Sequence, residues 1–556
     1  MKYNYLFKSI SLSVFCLFSS TIFAQLNLSD NLNNLNLGEV HGNFQANAQY
    51  YIPDSSIGAN KVPEKMLMNG FTNIIFTKGK FTAGVRYESY LNALQGYPSG
   101  YFGNSIPYRF ITYRADELEV TAGSFYEQFG NGLTLRTYEE RNLGLDNALD
   151  GIRLKYQPVK GIYLKGLIGK QRNGYISGNG IVRGFDGEIQ FNELFANLRE
   201  KKTIVSLGGS FVSKYEADNN PFYFLPENVG NSAARFSVIR NNFRINGEYA
   251  YKINDPSADN GMIYKYGDGM LLQTSYAVKG FAIILSGSRI DNMSFRSERS
   301  AGLTSLLINY IPALAKQHTY SLLAFYPYAS QAKGEMEFST ELNYKIKKGT
   351  ALGGKYGTEL LFNFSGANSL DTTNLDPKKD SKRLGYTSDY ILIGNEVYFR
   401  DYYFEMTKKI SKKWKLSLIY SYQIYNKGII QKPGYPTIYS QIGVADITFN
   451  FKPTSSLRLE LQHLATQQDH KDWAYALLEY RINSEWFIAA GDQYNYANPE
   501  VSQRFHYYMG NIGYTRKANS ITLSYGKQRE GIFCVGGVCR AVPASNGITL
   551  MVTSSF

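Results

Sequence analysis

The chain ends on 546-NGITLMVTSSF-556. Counting back from Phe556, Ser554, Val552, Leu550 and Ile548 share one face, and Ser555, Thr553, Met551 and Thr549 share the other. That period of two marks a strand with a mainly apolar and a mainly polar face. As the open edge of a soluble sheet, such a strand would invite aggregation. As the closing strand of a barrel in a bilayer, it would not. Which case applies depends on whether the pattern recurs at the right length.

It recurs along the whole chain. Phe81, Ala83, Val85 and Tyr87 oppose Thr82, Gly84, Arg86 and Glu88. Phe243, Ile245, Gly247, Tyr249 and Tyr251 oppose Arg244, Asn246 and Glu248. Met336, Phe338 and Leu342 oppose Glu337, Ser339 and Glu341; Trp414, Leu416, Leu418 and Tyr420 oppose Lys415, Ser417 and Ser421. Leu457, Leu459 and Leu461 oppose Arg458, Glu460 and Gln462. Strands of soluble sandwiches run about 5–6 residues. These run about 9–12, the length that crosses a bilayer at a tilt.

The connectors alternate in length as well. Short turns near Lys78, Asp116, Lys160, Lys201, Asn241, Lys279, Lys316, Lys347, Ser411, Thr454, Ser484 and Ala518 are separated by longer polar segments. Short periplasmic turns and long extracellular loops are the asymmetry of outer-membrane barrels. The expected fold is therefore all-β, a transmembrane outer-membrane antiparallel barrel. Its expected strand count is about 26, or about 24 if one hairpin is spurious, and bacterial single-chain barrels are even-numbered. Composition agrees: 46 Tyr and 34 Phe with a mean hydropathy of only −0.30 suit strands that are half polar and rims that carry aromatic girdles.

Residues 1–24 read as a secretory signal peptide, with Lys2 and Lys8, an apolar run from Ile10 to Phe23, and cleavage after Ala24. Phe15 is too bulky for the position before a lipidated Cys16. Residues 25–37 form a short periplasmic segment in this reading, and 38–556 a single barrel domain. No later stretch approaches the roughly 18–20 apolar residues of a membrane helix, so an exported chain that spans must close a barrel. Its final strand runs inward and leaves Phe556 at the periplasmic rim, as the signal read by barrel-assembly machinery.

In FCVGGVC, Gly536-Gly537 suits a two-residue hairpin turn that sets Cys534 opposite Cys539. That separation permits a disulfide, which the exported compartment allows. Two thiolates could also be half of a metal site, but no His or further Cys lies nearby.

The formal charge of +13 needs no nucleic acid. Lys78, Lys80, Lys279, Lys347, Lys348, Lys408, Lys409, Lys412 and Lys413 cluster at the short turns, where they are either simply solvated or meet anionic lipid headgroups. Nothing points to an enzyme: five His show no metal-binding spacing, and no P-loop or nucleophile-elbow motif occurs. His463, on an apolar strand face where outer-membrane phospholipases keep a catalytic His, reads as a lone interfacial residue. No cofactor is expected, although the acidic turns 144–151 and 255–261 could hold calcium; Asp, Asn and Gly are also ordinary turn formers.

Segment 129–151, FGNGLTLRTYEERNLGLDNALDG, differs from a surface loop. It carries Leu133, Leu135, Leu143, Leu145 and Leu149 beside Arg136, Glu139, Glu140, Arg141, Asp146 and Asp150. Its leucines need burial, and the barrel interior can supply it. Folded inward, its charges would meet Arg86, Glu88, Arg153, Lys155, Arg244, Glu248, Arg458 and Glu460 on the lumen faces. The other reading is a compact external loop packed on its neighbours.

This segment, together with the ending GGVCRAVPASNGITLMVTSSF, resembles a family of Bacteroidota outer-membrane barrels known mainly as a domain of unknown function. The resemblance implies an outer-membrane barrel and no particular activity. The expected function is a porin-like channel for polar solutes, its lumen narrowed by 129–151. The alternative is a non-conducting barrel that serves as a subunit of an outer-membrane secretion, assembly or surface-export complex.

Overall fold

The computed structural model describes residues 38–98, 100–375 and 383–556; the expected signal peptide and residues 25–37 lie outside the described residues. Twenty-four antiparallel strands form one sheet that closes on itself. The first strand, Glu39–Tyr51, pairs with Met66–Lys78 on one side and with the last strand, Ser545–Ser555, on the other. At about 4.8 Å between strands and a tilt of about 40°, 24 strands give a ring about 48 Å across. Among the described residues no helix is long and apolar enough to cross a membrane.

Side-chain exposure follows the expected alternation. Val85 and Tyr87 are exposed on the outside, whereas Arg86 and Glu88 are buried inside. The same holds for Leu418 and Tyr420 against Ser417 and Ser421, and for Leu461 against Glu460 and Gln462. Outward aromatic pairs ring the short-turn rim: Phe81 with Tyr113, Tyr276 with Phe281, Trp414 with Phe449, and Trp486 with Tyr514. An apolar outer belt bounded by an aromatic girdle is the surface of a transmembrane barrel of the outer-membrane kind.

Closure is tight at the C-terminus. Gly42 N–H donates to Phe556 O at 2.9 Å, and Phe556 N–H donates to Gly42 O at 3.0 Å. The Phe556 ring lies over Gly42, where a Cβ would come within 2.2 Å of it.

The strand count is 24 rather than 26, and the difference has one source. The expected turn at Lys316 does not exist. Residues 292–333, between strands Phe281–Asp291 and Gly334–Ile346, leave the wall altogether and pack inside it. The polar stretch between the expected turns at Lys160 and Lys201 holds no long loop at 171–184; there the chain forms the tight end of the hairpin Ile162–Asn173 and Ile176–Gln190, turning at Gly174 with φ +64°.

Candidate functional site

The chain enters the lumen where strand Leu118–Phe125 ends and returns to the wall at strand Leu149–Tyr156. Between them Phe129, Leu133, Leu135 and Leu143 are fully buried. Two small antiparallel pairings shape the segment, Gln128–Phe129 with Leu135–Arg136 and Glu139–Glu140 with Leu145–Asp146. A 3-10 turn at Arg141–Leu143 is capped by the Glu140 carboxylate on Asn142 N–H and ends at left-handed Gly144. Glu140 is therefore a cap rather than a member of a charged cluster.

Charged side chains fasten the segment to the wall. Arg86 reaches Glu139 at 3.1 Å and Asp146 at 3.0 Å. Arg172 bonds Glu88 at 2.8 Å and also binds Asp146, while Tyr126 O–H donates to Asp146 at 3.0 Å. Arg141 bridges Glu139 at 2.8 Å and Gln45 at 2.6 Å. A second group joins Arg153, Lys155 and Lys165 to Glu119 and Glu127. Burial alone would raise the Glu127 carboxyl, yet the ammonium of Lys165, helped by Lys155, holds it below the usual carboxylate range. Farther round the ring, Glu248 accepts from Asn131 N–H at 2.6 Å and from its side-chain amide at 2.8 Å. Arg136 lies between the rings of Tyr138 and Tyr310, 4.7 and 4.0 Å from their centroids.

Four expected site residues stand elsewhere. Asp150 faces outward, because Leu149 opens its strand with an inward side chain and the next residue must alternate; it pairs with Arg109 at 3.1 Å. Arg244 is exposed near the short-turn rim, away from the segment. Arg458 and Glu460 do point inward, but toward the second infolded segment: Arg458 bonds Asp446 at 2.9 Å, and Asp446 accepts from Tyr320 O–H at 3.0 Å.

That second segment, 292–333, holds much of the interior. Met293, Phe295, Ile308, Leu322 and Leu323 are buried. It hydrogen-bonds across the opposite arc of the wall. Leu314 N–H donates to Glu337 at 2.6 Å, His318 meets Asp401 at 2.7 Å, and Leu322 N–H donates to Gln462 at 2.8 Å. The two infolded segments also join each other, through Arg136 N–H to Ile308 O at 2.8 Å and Tyr310 N–H to Gly132 O at 2.9 Å. A third element completes the group. The hairpin Gly531–Val535 and Val538–Val542, closed by the Cys534–Cys539 disulfide, brings Gly536 O to the Tyr310 hydroxyl at 2.7 Å.

The carboxylates of the two acidic turns are engaged by cations. Asp146 is held by Arg86 and Arg172, Asp255 by Lys214 at 2.8 Å, and Asp259 by Arg296. His463 faces outward and meets the Tyr496 hydroxyl at 2.7 Å.

Residues 7–556 match the model of DUF6029, a family of unknown function. The chain belongs to that family. No curated protein sequence matches it. Among solved structures, the siderophore receptor PirA from Pseudomonas aeruginosa is similar at 10% identity, with 93% of this chain and 80% of that one covered and a TM-score of 0.40. The translocation pore of the P pilus usher PapC is similar at 8% identity, covering 93% and 99%, with a TM-score of 0.38. OpdK of Pseudomonas aeruginosa with vanillate is similar at 7% identity, covering 93% and 98%, with a TM-score of 0.32. At such identities and scores the likeness is too distant to carry a function to this DUF6029 member.

Proposed function

We propose that the protein is a non-catalytic outer-membrane channel for polar solutes, with its short turns and C-terminus on the periplasmic side and its passage limited by segments 126–148 and 292–333. A ring about 48 Å across is far wider than a selective pore needs, so infolded chain has to set the passage. The observation that carries this reading is the way the infolded chain is held. Beside apolar packing such as Phe129 and Leu135 on Leu167, Val182 and Val212, it meets the wall through ion pairs and hydrogen bonds, among them Arg86 with Glu139 and Asp146, Glu248 with Asn131, and His318 with Asp401. Charged groups lining a restricted aqueous passage tune which ions and solutes cross it. Conductance of the purified protein in planar bilayers tests the proposal. Discrete, ion-selective steps support it, and a protein that is folded but silent under all voltages defeats it.

One observation favours the second reading, a subunit of a larger surface complex. On the long-loop rim, Phe222 and Phe224 are 87% and 94% exposed. Their loop is well built: Asn220 accepts from Phe222 N–H and Tyr223 N–H, and Asp218 accepts from Leu225 N–H. Two aromatic side chains displayed by an ordered loop suit a partner protein. Co-purification in mild detergent, compared between wild type and Phe222→Ser/Phe224→Ser, separates the readings.

A further inference from the structure

The wall of the barrel has a window. Most neighbouring strands pair over nine or more residues, but strand Gly103–Arg114 pairs with Leu118–Phe125 only from Phe110↔Gly123 to Arg114↔Glu119. The cause is the infolded segment. Strands Leu118–Phe125 and Leu149–Tyr156 stop partway up because the chain between them turns into the lumen, so among the described residues no strand pairs with 103–109 on that flank. Pro107 falls in this stretch. A proline cannot donate to a ladder and is confined to edges and bulges, and here a closed barrel supplies an edge. Below, the window is sealed by the close approach of Gly123, where a Cβ would lie 2.3 Å from Arg109 O. Above, it is sealed by the Tyr175 hydroxyl on Gly103 O at 3.2 Å.

Two hollows meet at this window. A polar cleft of about 280 Å³ lies between its sides, lined by Ser105, Arg109, Ser124, Asp150, Arg172 and Ser177. An apolar groove of about 550 Å³ runs beside it on the outer surface, lined by Ile74, Phe76, Val85, Ile111 and Ala122, and it too ends at Arg109. Arg109 stands five residues above the short-turn end of its strand, about 13 Å up the wall. That is within the membrane. Lys170, directly opposite Asp150 on the next strand, and Arg183 are also exposed on the outward-facing side. Three cations thus share this stretch of wall with one carboxylate, Asp150. Outward Arg and Lys near the midplane of a barrel are unfavourable. Unpaired backbone at membrane depth is tolerated only where it lines a polar cavity.

We propose that this window binds a phosphate-headed lipid of the surrounding membrane. An acyl chain lies in the groove over Val85 and Ile111. The phosphate enters the cleft, where Arg109 donates to it beside Asp150 and the hydroxyls of Ser105, Ser124 and Ser177. Because Arg172 lines the cleft and also holds Glu88 and Asp146, the bound headgroup sits one side chain away from the lumen network.

The test is photo-crosslinking in the reconstituted full-length protein. The probe is phosphatidylglycerol carrying a diazirine in one acyl chain, diluted into phosphatidylcholine vesicles, with labelled peptides mapped by mass spectrometry. Labelling is expected to concentrate on residues 74–85 and 106–122 over the equivalent belt of strand Thr437–Lys452. Arg109→Gln lowers that labelling by roughly tenfold, as the loss of one charge-assisted hydrogen bond implies. Ile111→Trp, which fills the groove and keeps the Arg109–Asp150 pair, lowers it as well. Heat-modifiable gel mobility confirms that each variant is folded. Labelling spread evenly around the belt, or unchanged in a folded variant, overturns the proposal. Equal labelling by diacylglycerol with the same chain overturns the role given to Arg109.

Discussion

The ring of Phe556 occupies the space that a side chain at residue 42 would need, and the two residues exchange both backbone hydrogen bonds. The terminal aromatic is thus part of the seam that closes the barrel. Gly42→Val is expected to displace the ring and reduce the yield of assembled barrel, while removal of residues 546–556 abolishes closure because strand Glu39–Tyr51 loses its partner. Heat-modifiable mobility in membrane fractions measures both. Normal amounts of folded protein without residues 546–556 would contradict the seam.

The two faces of the wall can be told apart by charge. Leu418→Arg places a cation on the lipid side and is expected to impair assembly by about 2–4 kcal/mol near the midplane. Arg244→Leu, on an exposed inward position near the short-turn rim, is expected to assemble normally. Equal tolerance at the two positions, read by urea titration of folded protein in vesicles, would contradict the face assignment.

Arg172 and Glu88 are a buried pair, with side-chain exposures of 5% and 1%. Arg172→Met leaves Glu88 and Asp146 without this cation inside the barrel. Breaking a buried pair from one side destabilises by about 3–5 kcal/mol. The strand ladders do not depend on this side chain, so the loss falls on segment 126–148. The expected result is new proteolytic cleavage within 126–148 in a barrel that remains heat-modifiable. Wild-type resistance would show that the pair does not hold the segment.

The alternation that sorts Arg458 from Leu459, or Arg86 from Val85, was legible because each strand keeps period two across its length. Infolded chain has no such rule. Residues 305–328 read as two strands about a turn at Lys316 because they are apolar and long enough, and Pro312 and Pro327 were the contrary signs. Arg172 was missed for a related reason. Its parity, shared with the exposed Ile168 and Lys170, marks it as outward, yet it is buried and bonds Glu88 and Asp146; at this level the neighbouring strand sets residues 178–180 against Gln171 alone. Asp150 was grouped with the infolded charges although its strand parity with Arg153 and Lys155 sets it outward. The five leucines of 129–151 signal burial, since a segment with that much apolar surface has to bury it, and all five are buried.

The loop that displays Phe222 and Phe224 has a titrating clasp. Backbone N–H donors of Leu225 and Asn220 hold the Asp218 carboxyl below the usual Asp value. A depressed folded value means that the clasp is fully present above the ordinary Asp range and is lost as pH falls through the depressed value. Hydrogen-exchange protection at Leu225, normalised for intrinsic rate, is expected to hold down to about pH 4 and to fall below it. Asp218→Asn removes that pH dependence. Protection that disappears nearer neutrality, or that survives unchanged into strong acid, would contradict the clasp.

If chain folded into the lumen limits what crosses the barrel, removing it must change the passage. Single-channel recording on wild type and on a variant with residues 131–147 replaced by a short Gly-Ser link tests it most directly, because the wall strands do not depend on that segment's backbone. A larger unit conductance and a shifted ion selectivity are expected in the variant, as Arg136, Glu139, Glu140, Arg141 and Asp146 leave the interior. An unchanged conductance and selectivity in a folded variant would contradict it.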